Sequence, residues 1–321
     1  MTGQVRVAVI GCGAIGSLYA AHLARVPGVE VWAVDPWAEH VAAIEAGGLR
    51  VTGLAGPGTG GDSDAGFTAP VRARTDARDL PACDFGLVAT KAPHTREAVA
   101  GARAALADAA VVSVQNGLGN EEVIAGLVPR VMRGSIVTAG TVVAPGVVRY
   151  DAPGDSWFGP FEPKPAAMGE VERLAGLLTA GGLQTHALSD ARGPQWTKVI
   201  FNAATSPVAA LTGLCVGRVC TDAGLRQQVD GLISEALTVC ERAGIALLRP
   251  PQEAVEEAIA EAYEHKPSML QDVLARRATE IDVLNGGIAA EGRRAGLPTP
   301  RHDCMVALVR GLEQSWSAGP R

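Results

Sequence analysis

Basic runs are missing from this sequence. Its 28 Lys and Arg are outnumbered by 34 Asp and Glu, giving a formal net charge of −6. Nucleic-acid binding, which needs a clustered basic surface against phosphates, is therefore disfavoured. An anionic substrate would have to be drawn in by a few local groups. Aromatic residues are scarce, at 4% of the chain. Ala, Gly and Val are abundant instead, a composition that suits closely packed parallel sheets and helices and that a GC-rich genome also produces. No apolar run approaches the ~20 residues of a membrane span. The six cysteines (Cys12, Cys83, Cys215, Cys220, Cys240 and Cys304) are scattered, with no C-x-x-C pair. Val5–Ile10 is too short for the apolar core of a signal peptide. These absences lead to the expectation of a cytoplasmic, reduced, metal-free protein.

What is present is a globular chain of 321 residues, 47% hydrophobic and 19% charged, long enough for two domains. In the first half, apolar runs at Val5–Ile10, Val29–Val34, Phe85–Ala89 and Val111–Val114 read as buried strands. Helices are expected between them, near Ala14–Arg25, Glu39–Ala46 and Thr95–Leu106. This alternation predicts an α/β fold with a doubly wound parallel sheet. Gly53–Gly66, rich in Gly, Asp and Ser, reads as a mobile surface loop. Gly134–Tyr150 reads as a hairpin that continues the sheet. From about Pro194 the texture turns helical, with segments near Gln195–Leu211, Ala223–Ala243, Pro251–Tyr263, Met269–Ala295 and Asp303–Ser315. The expected division is a Rossmann-type domain over residues 1–190 and an all-helical domain over residues 191–321.

Gly11-Cys12-Gly13-Ala14-Ile15-Gly16 lies between the first strand and the first helix. There, one glycine permits the tight turn, the next lets backbone approach a pyrophosphate, and the third lets helix and strand pack closely. Asp35 follows the second strand, where a carboxylate can bond the ribose hydroxyls of NAD and repel the 2′-phosphate of NADP. It can equally be a turn residue before Pro36. His40 and Arg50 are the nearby cations that would reverse the preference. Lys91 follows the strand at Phe85–Ala89, at a carboxyl end where ligands bind; a solvated loop lysine is the alternative. Asn116 stands in the equivalent place after the next strand, where it can orient an amide or ribose or, with Gly117, simply make a turn.

The glycine motif, Lys91-Ala92, Gln115-Asn116-Gly117-Leu118-Gly119, Trp196-Thr197-Lys198-Val199-Ile200-Phe201-Asn202 and Ser268-Met269-Leu270-Gln271-Asp272 occur in an order that resembles the ketopantoate reductases. Arg277 to Gly286, with Thr279-Glu280-Ile281-Asp282, extends the resemblance from residue 5 to about residue 300. The resemblance implies hydride transfer from NAD(P)H to the ketone of a 2-keto acid, within pantothenate biosynthesis, at a cleft between the two domains. It implies that Lys198 is the general acid, and that Glu280 binds the substrate hydroxyl and supports the lysine. Ser268 would hold the carboxylate. Asn116, Asn202 and the Ser206 position would orient substrate, while Asn116, Glu280 and Lys91 also face the cofactor. A homodimer is compatible with it.

Each of these residues also has an ordinary reading. Lys198 and Asn202, four apart, can form a surface pair on one helix. Glu280 can pair with Arg276 or Arg277. Ser268 can cap a helix, with Gln271 completing a capping box. Three positions depart from the family's pattern. Ser206 and Val216 stand where asparagines are common, which weakens recognition of a hydroxylated substrate. Asp35 stands where an arginine suited to NADP is common. The alternatives are therefore a dehydrogenase of the same architecture for a different keto or hydroxy acid, and a dinucleotide-binding protein without turnover.

Overall fold

The computed structural model describes residues 4–53 and 65–316. Residues 54–64, most of the Gly53–Gly66 stretch, lie outside the described residues. The described parts of the chain form two compact units. Met1–Gln115 with Asn120–Ala191 make one, and Asn116–Gly119 with Arg192–Arg321 make the other.

The first unit contains strands β1 (Val5–Ile10), β2 (Val29–Val34), β3 (Leu49–Thr52), β4 (Phe67–Ala69), β5 (Arg72–Arg74), β6 (Phe85–Val88), β7 (Ala110–Ser113), β8 (Arg130–Ile136), β9 (Ala139–Ala144), β10 (Val147–Ala152), β11 (Ser156–Pro160) and β12 (Thr185–Ala187). Its helices are α1 (Ala14–Leu23), α2 (Ala38–Gly47), α3 (Thr95–Gly101), α4 (Asn120–Ala125) and α5 (Met168–Gly181). Eight strands form one sheet in the order β12-β11-β8-β7-β6-β1-β2-β5. Its central pairs β7–β6, β6–β1 and β1–β2 are all parallel. Alternate residues of β1 serve opposite faces, as a pleated strand buried on both sides requires. Val5, Val7 and Val9 join a core with Leu18 and Tyr19 of α1 and Leu174 of α5. Ala8 and Ile10 join a second core with Val99, Leu106 and Ile124.

Two expectations for this unit change. The 134–150 hairpin exists as antiparallel β9 and β10, but it does not continue the main sheet. β10 pairs in parallel with β3, so the hairpin belongs to a second sheet, β4-β3-β10-β9. Gly140 of β9 leaves no room for a Cβ against Leu18 of α1. α1 thus packs against this sheet as well, and Gly16–Leu23 are all buried. A helix apolar on all sides belongs in such a place. The helix expected at Thr95–Leu106 ends at Gly101, and turns carry the chain on to β7.

The second unit contains α6 (Arg192–Thr212), α7 (Val216–Thr221), α8 (Ala223–Arg242), α9 (Pro251–Glu261), α10 (Ser268–Leu274), α11 (Asn285–Arg294) and α12 (Pro300–Ser315). Its core includes Trp196, Ile200, Ile233, Val239, Leu270 and Ile288. The single helix expected over Met269–Ala295 is two helices, because α10 stops at Leu274. Arg277 N–H bonds back to Asp272 O at 2.8 Å and Arg276 N–H to Val273 O at 3.0 Å. Arg276 has φ +50, the left-handed turn that ends many helices, here without the usual glycine. The Arg277 guanidinium also pairs with the buried Asp272 at 3.1 Å. The chain then runs irregularly through 278–284, and this stretch carries Glu280.

Candidate active site

In the first unit the glycine turn is held from several sides. Gly11 sits at φ +91, and a Cβ there would lie 2.7 Å from Thr90 N. A Cβ on Gly16 would lie 1.9 Å from Gly11 O, so α1 can leave the turn this tightly only with glycine there. Gly13 is different. A Cβ there would meet nothing within 4 Å, so its own packing does not need a glycine. The open space beside it, at the N-terminus of α1, fits the pyrophosphate of a dinucleotide, which needs bare backbone and uncapped N–H groups. α1 has no side-chain cap and no acidic residue in its first turn. Ala14 and Ile15 supply that first turn.

The Cys12 side chain lies under the turn. It is buried, and burial pushes its thiol up to about 12, so it stays protonated. Ser17 Oγ donates to Cys12 O at 2.9 Å and lies 3.3 Å from His40 Nε2, while Gly146 N–H donates to His40 Nδ1 at 3.1 Å. His40 is fully buried and burial lowers its pKa. It is a neutral brace, not the phosphate-binding cation that its place in the sequence offered. Arg50 lies exposed on β3, in the second sheet.

Asp35 makes the turn that was one of its two readings, and it also bonds the glycine loop. Its Oδ2 accepts from Cys12 N–H at 2.8 Å and its Oδ1 from Trp37 N–H at 3.0 Å. The carboxylate therefore fastens the end of β2 to the glycine turn and shapes its own turn. Each oxygen retains a lone pair for a ribose hydroxyl. Asp35 N–H in turn donates to Arg74 O at 3.2 Å. Arg74 is thus the guanidinium-bearing neighbour that linear reading missed, and its side chain is paired with Glu45 at 2.8 Å. Lys91 is exposed and opens a single turn at Ala92–His94, past the carboxyl end of β6. Gln115, also unanticipated, ties this end of the sheet together. Its Nε2 donates to Thr90 O at 2.8 Å and Thr95 Oγ1 at 2.7 Å.

The second unit contains a relay of three polar side chains. Lys198 Nζ donates to Asn116 Oδ1 at 2.8 Å, and Asn116 Nδ2 donates to Glu280 Oε2 at 3.1 Å. A cation on one side and an acid on the other leave the amide one orientation. Burial lowers the half-buried Lys198 ammonium to about 8, and Glu280 opposes that shift. Glu280 itself is buried, off any helix, and does not make the same-helix ion pair that was its alternative reading; Arg277 pairs with Asp272 instead. Asn116 is held by its own segment. Leu118 N–H donates to Val283 O at 2.8 Å, and Gln195 Nε2 donates to Gly117 O at 3.4 Å. Gly117 has φ +89 and leaves no room for a Cβ against Val283. These bonds explain why 116–119 group with the helical unit although β7 precedes them.

Asn202 and Ser206 continue the Lys198 face of α6 at four-residue intervals, Asn202 half-buried and Ser206 buried. Ser268 is exposed at the first residue of α10 and makes no capping bond; Gln271 Nε2 donates to Lys266 O instead. The capping box is not formed. Val216 is buried at the start of α7, its N–H donating to His265 O at 2.9 Å.

A Rossmann-type unit with an open glycine turn, and a helical unit with a half-buried lysine of lowered pKa, together define an NAD(P)-dependent oxidoreductase. Comparison with known proteins narrows the class. The family model described as ketopantoate reductase PanE/ApbA matches residues 7–163, and that for the ketopantoate reductase PanE/ApbA C terminal matches residues 190–313. The chain belongs to the ketopantoate reductase family, a family of 2-keto acid reductases. It is 31% identical over 331 residues to a 2-dehydropantoate 2-reductase of Mesorhizobium japonicum, covering 96% of this chain and 98% of that one. Among solved structures, a PanE/ApbA family ketopantoate reductase from Ralstonia eutropha JMP134 superposes with TM-score 0.84 at 29% identity, covering 97% and 99% of the two chains. A D-mandelate dehydrogenase in complex with NADH superposes with TM-score 0.81 at 25% identity, with 97% and 99% covered. Among the described residues, no helix is long and apolar enough to cross a membrane.

Proposed function

We propose that this chain reduces the ketone of 2-dehydropantoate, or of a close analogue, to the 2-hydroxy acid, with Lys198 as general acid. The observation that carries the reading is the 2.8 Å bond from Lys198 Nζ to Asn116 Oδ1 in a setting that lowers the lysine to about 8. A bound reduced nicotinamide supplies the hydride. As the carbonyl oxygen gains negative charge, an ammonium of this acidity both stabilises it and gives up its proton near neutral pH. Asn116 aims the ammonium, and Glu280 holds Asn116 and keeps Lys198 protonated between turnovers. Asn202 and Ser206 extend the polar face of α6 toward the substrate, and Ser268 binds its carboxylate. Gly11–Gly16 hold the pyrophosphate, and Lys91 lies on the cofactor side.

For the cofactor we propose NADH, because Asp35, bonded to the glycine turn from the end of β2, is a carboxylate that would favour ribose hydroxyls and repel a 2′-phosphate. A second substrate reading has specific support. Ser206 and Val216 replace planar amides, and the chain is similar in structure to a D-mandelate dehydrogenase, so a 2-keto acid with a more apolar side chain competes. Steady-state kinetics with 2-dehydropantoate and with bulkier apolar 2-keto acids, each with NADH and with NADPH, decide both questions. No turnover with any 2-keto acid would refute the function. A large preference for NADPH would refute the role given to Asp35.

A further inference from the structure

Pro207 interrupts α6 from within. It has no N–H, so the carbonyl of Ala203, four residues earlier, lacks its partner in the helical ladder. Ala203 is fully buried, and its carbonyl is met from outside the helix: Asn285 Nδ2 donates to Ala203 O at 2.9 Å. The other Nδ2 hydrogen points to His302 Nδ1 at 3.1 Å, and His302 Nε2 donates to Leu232 O at 3.0 Å. Asn285 and His302 are both fully buried. Burial holds His302 down to about 4, so Nδ1 is an acceptor. Two acceptors on one side of the amide leave Asn285 a single orientation.

Asn285 is the first residue of α11, and the turn leading into it folds back onto Glu280. Val283 N–H and Leu284 N–H both donate to Glu280 O, at 3.2 and 3.1 Å, and Gly286 N–H donates to Ile281 O at 3.0 Å. Glu280 and Asn285 therefore belong to one hydrogen-bonded turn. Lys198 and Ala203 belong to one helix, which cannot slip between them. The amide–carbonyl bond joins these two pieces.

We infer that Asn285 is a positioning residue for the reduction: by bonding the carbonyl that Pro207 leaves open, it sets the Glu280 turn in register with the Lys198 helix. The inference rests on the proposed function, because it acts through the Lys198–Asn116–Glu280 relay. It is distinct from plain satisfaction of a buried carbonyl, which any donor could provide.

Pro207→Ala separates the two. It returns an N–H to Ala203 O while leaving Asn285 in place. The pH dependence of kcat/KM and the thermal midpoint are measured for the full chain with Asn285→Ala, Pro207→Ala and both together. Pro207→Ala alone keeps the wild-type profile. Asn285→Ala moves the alkaline limb down by about half a pH unit or more, as the charge that sustains the Lys198 ammonium recedes. In the double variant the midpoint recovers toward that of Pro207→Ala, but the limb stays displaced. If limb and midpoint recover together, Asn285 serves only the carbonyl and the inference is wrong. An unmoved limb in folded Asn285→Ala overturns it too. Should Asn285→Ala fail to fold, the double variant, with its carbonyl satisfied, carries the measurement. A wild-type profile with no alkaline limb defeats the Lys198 reading itself, and the inference with it, before any substitution is made.

Discussion

The protonation state of Lys198 should set the pH range in which reduction runs. With the ammonium lowered to about 8, about nine-tenths of the enzyme is competent at pH 7, half at pH 8 and a tenth at pH 9. At saturating reduced cofactor, kcat/KM for the keto acid should fall about tenfold from pH 7 to pH 9 and about tenfold again by pH 10. A lysine at its ordinary value of 10.5 would leave the profile flat across most of that range. Oxidation of the hydroxy acid needs the neutral amine, so its profile should rise through the same pH. Glu280 is the charge that opposes the lowering. Glu280→Gln should therefore move the limb further down, by about one pH unit, as loss of a close opposite charge does. At pH 8 that leaves about a fifth of the wild-type protonation, on top of any loss from geometry. A stopped-flow or steady-state assay of nicotinamide absorbance over pH 6–10 reads all three. A limb near 10.5, or a Glu280→Gln limb that stays put or moves up, would refute the reasoning.

Lys198→Ala should reduce turnover by about 10²–10⁴-fold, the usual scale of general acid catalysis, while dinucleotide binding measured by calorimetry changes little. Gly13→Ala should fold normally and lose dinucleotide affinity, because its Cβ meets only open space. Gly16→Ala, with its Cβ 1.9 Å from Gly11 O, should fail to fold or lose most of its thermal stability; equal behaviour of the two in thermal melts would count against the pyrophosphate assignment. Asp35→Asn keeps an acceptor for the glycine turn but removes the charge, so the ratio of kcat/KM for NADH to that for NADPH should fall by about tenfold or more, the worth of one close charge contact. His302 gives an acid limit to stability. Its pKa is about 4 folded against 6.5 unfolded, so the unfolded chain binds the extra proton and stability falls as pH drops from 6.5 toward 4. About 2 kcal/mol should be gone by pH 5 in urea titrations, and His302→Gln should remove that part of the dependence.

The parallel sheet was legible because β1, β2, β6 and β7 lie in the middle of it and so read as mainly apolar runs, interrupted chiefly by Arg6 and Glu30. The glycine turn was legible because its spacing answers a steric demand at Gly11 and Gly16 and leaves bare backbone at Gly13 between them. The second sheet was not. Its strands β3 and β4 are four and three residues long, and nothing in 134–150 says whether a hairpin will pair with the main sheet or leave it. The break in the long C-terminal helix was hidden because Arg276 takes the left-handed turn where a glycine would have signalled it. At the site, Lys198 and Glu280 were found through family resemblance rather than through spacing; the bonds that hold them are long-range and leave no local mark. Asn116 was visible as a residue past a strand, but its partners were not. His40 misled because a histidine near the second strand says nothing of whether it faces solvent or core.

The proline within α6 has a consequence for how the gene can drift. A substitution at 207 that restores an N–H releases position 285 from one of its duties, whereas a change at 285 is tolerated best where 207 has already changed. The two sites, 78 positions apart along the chain by their numbers, should be inherited as a pair. The order in which they are lost would also matter. A lineage abandoning the reductase reaction should be free to lose the asparagine only after the proline, and while turnover is under selection it should keep the asparagine even then.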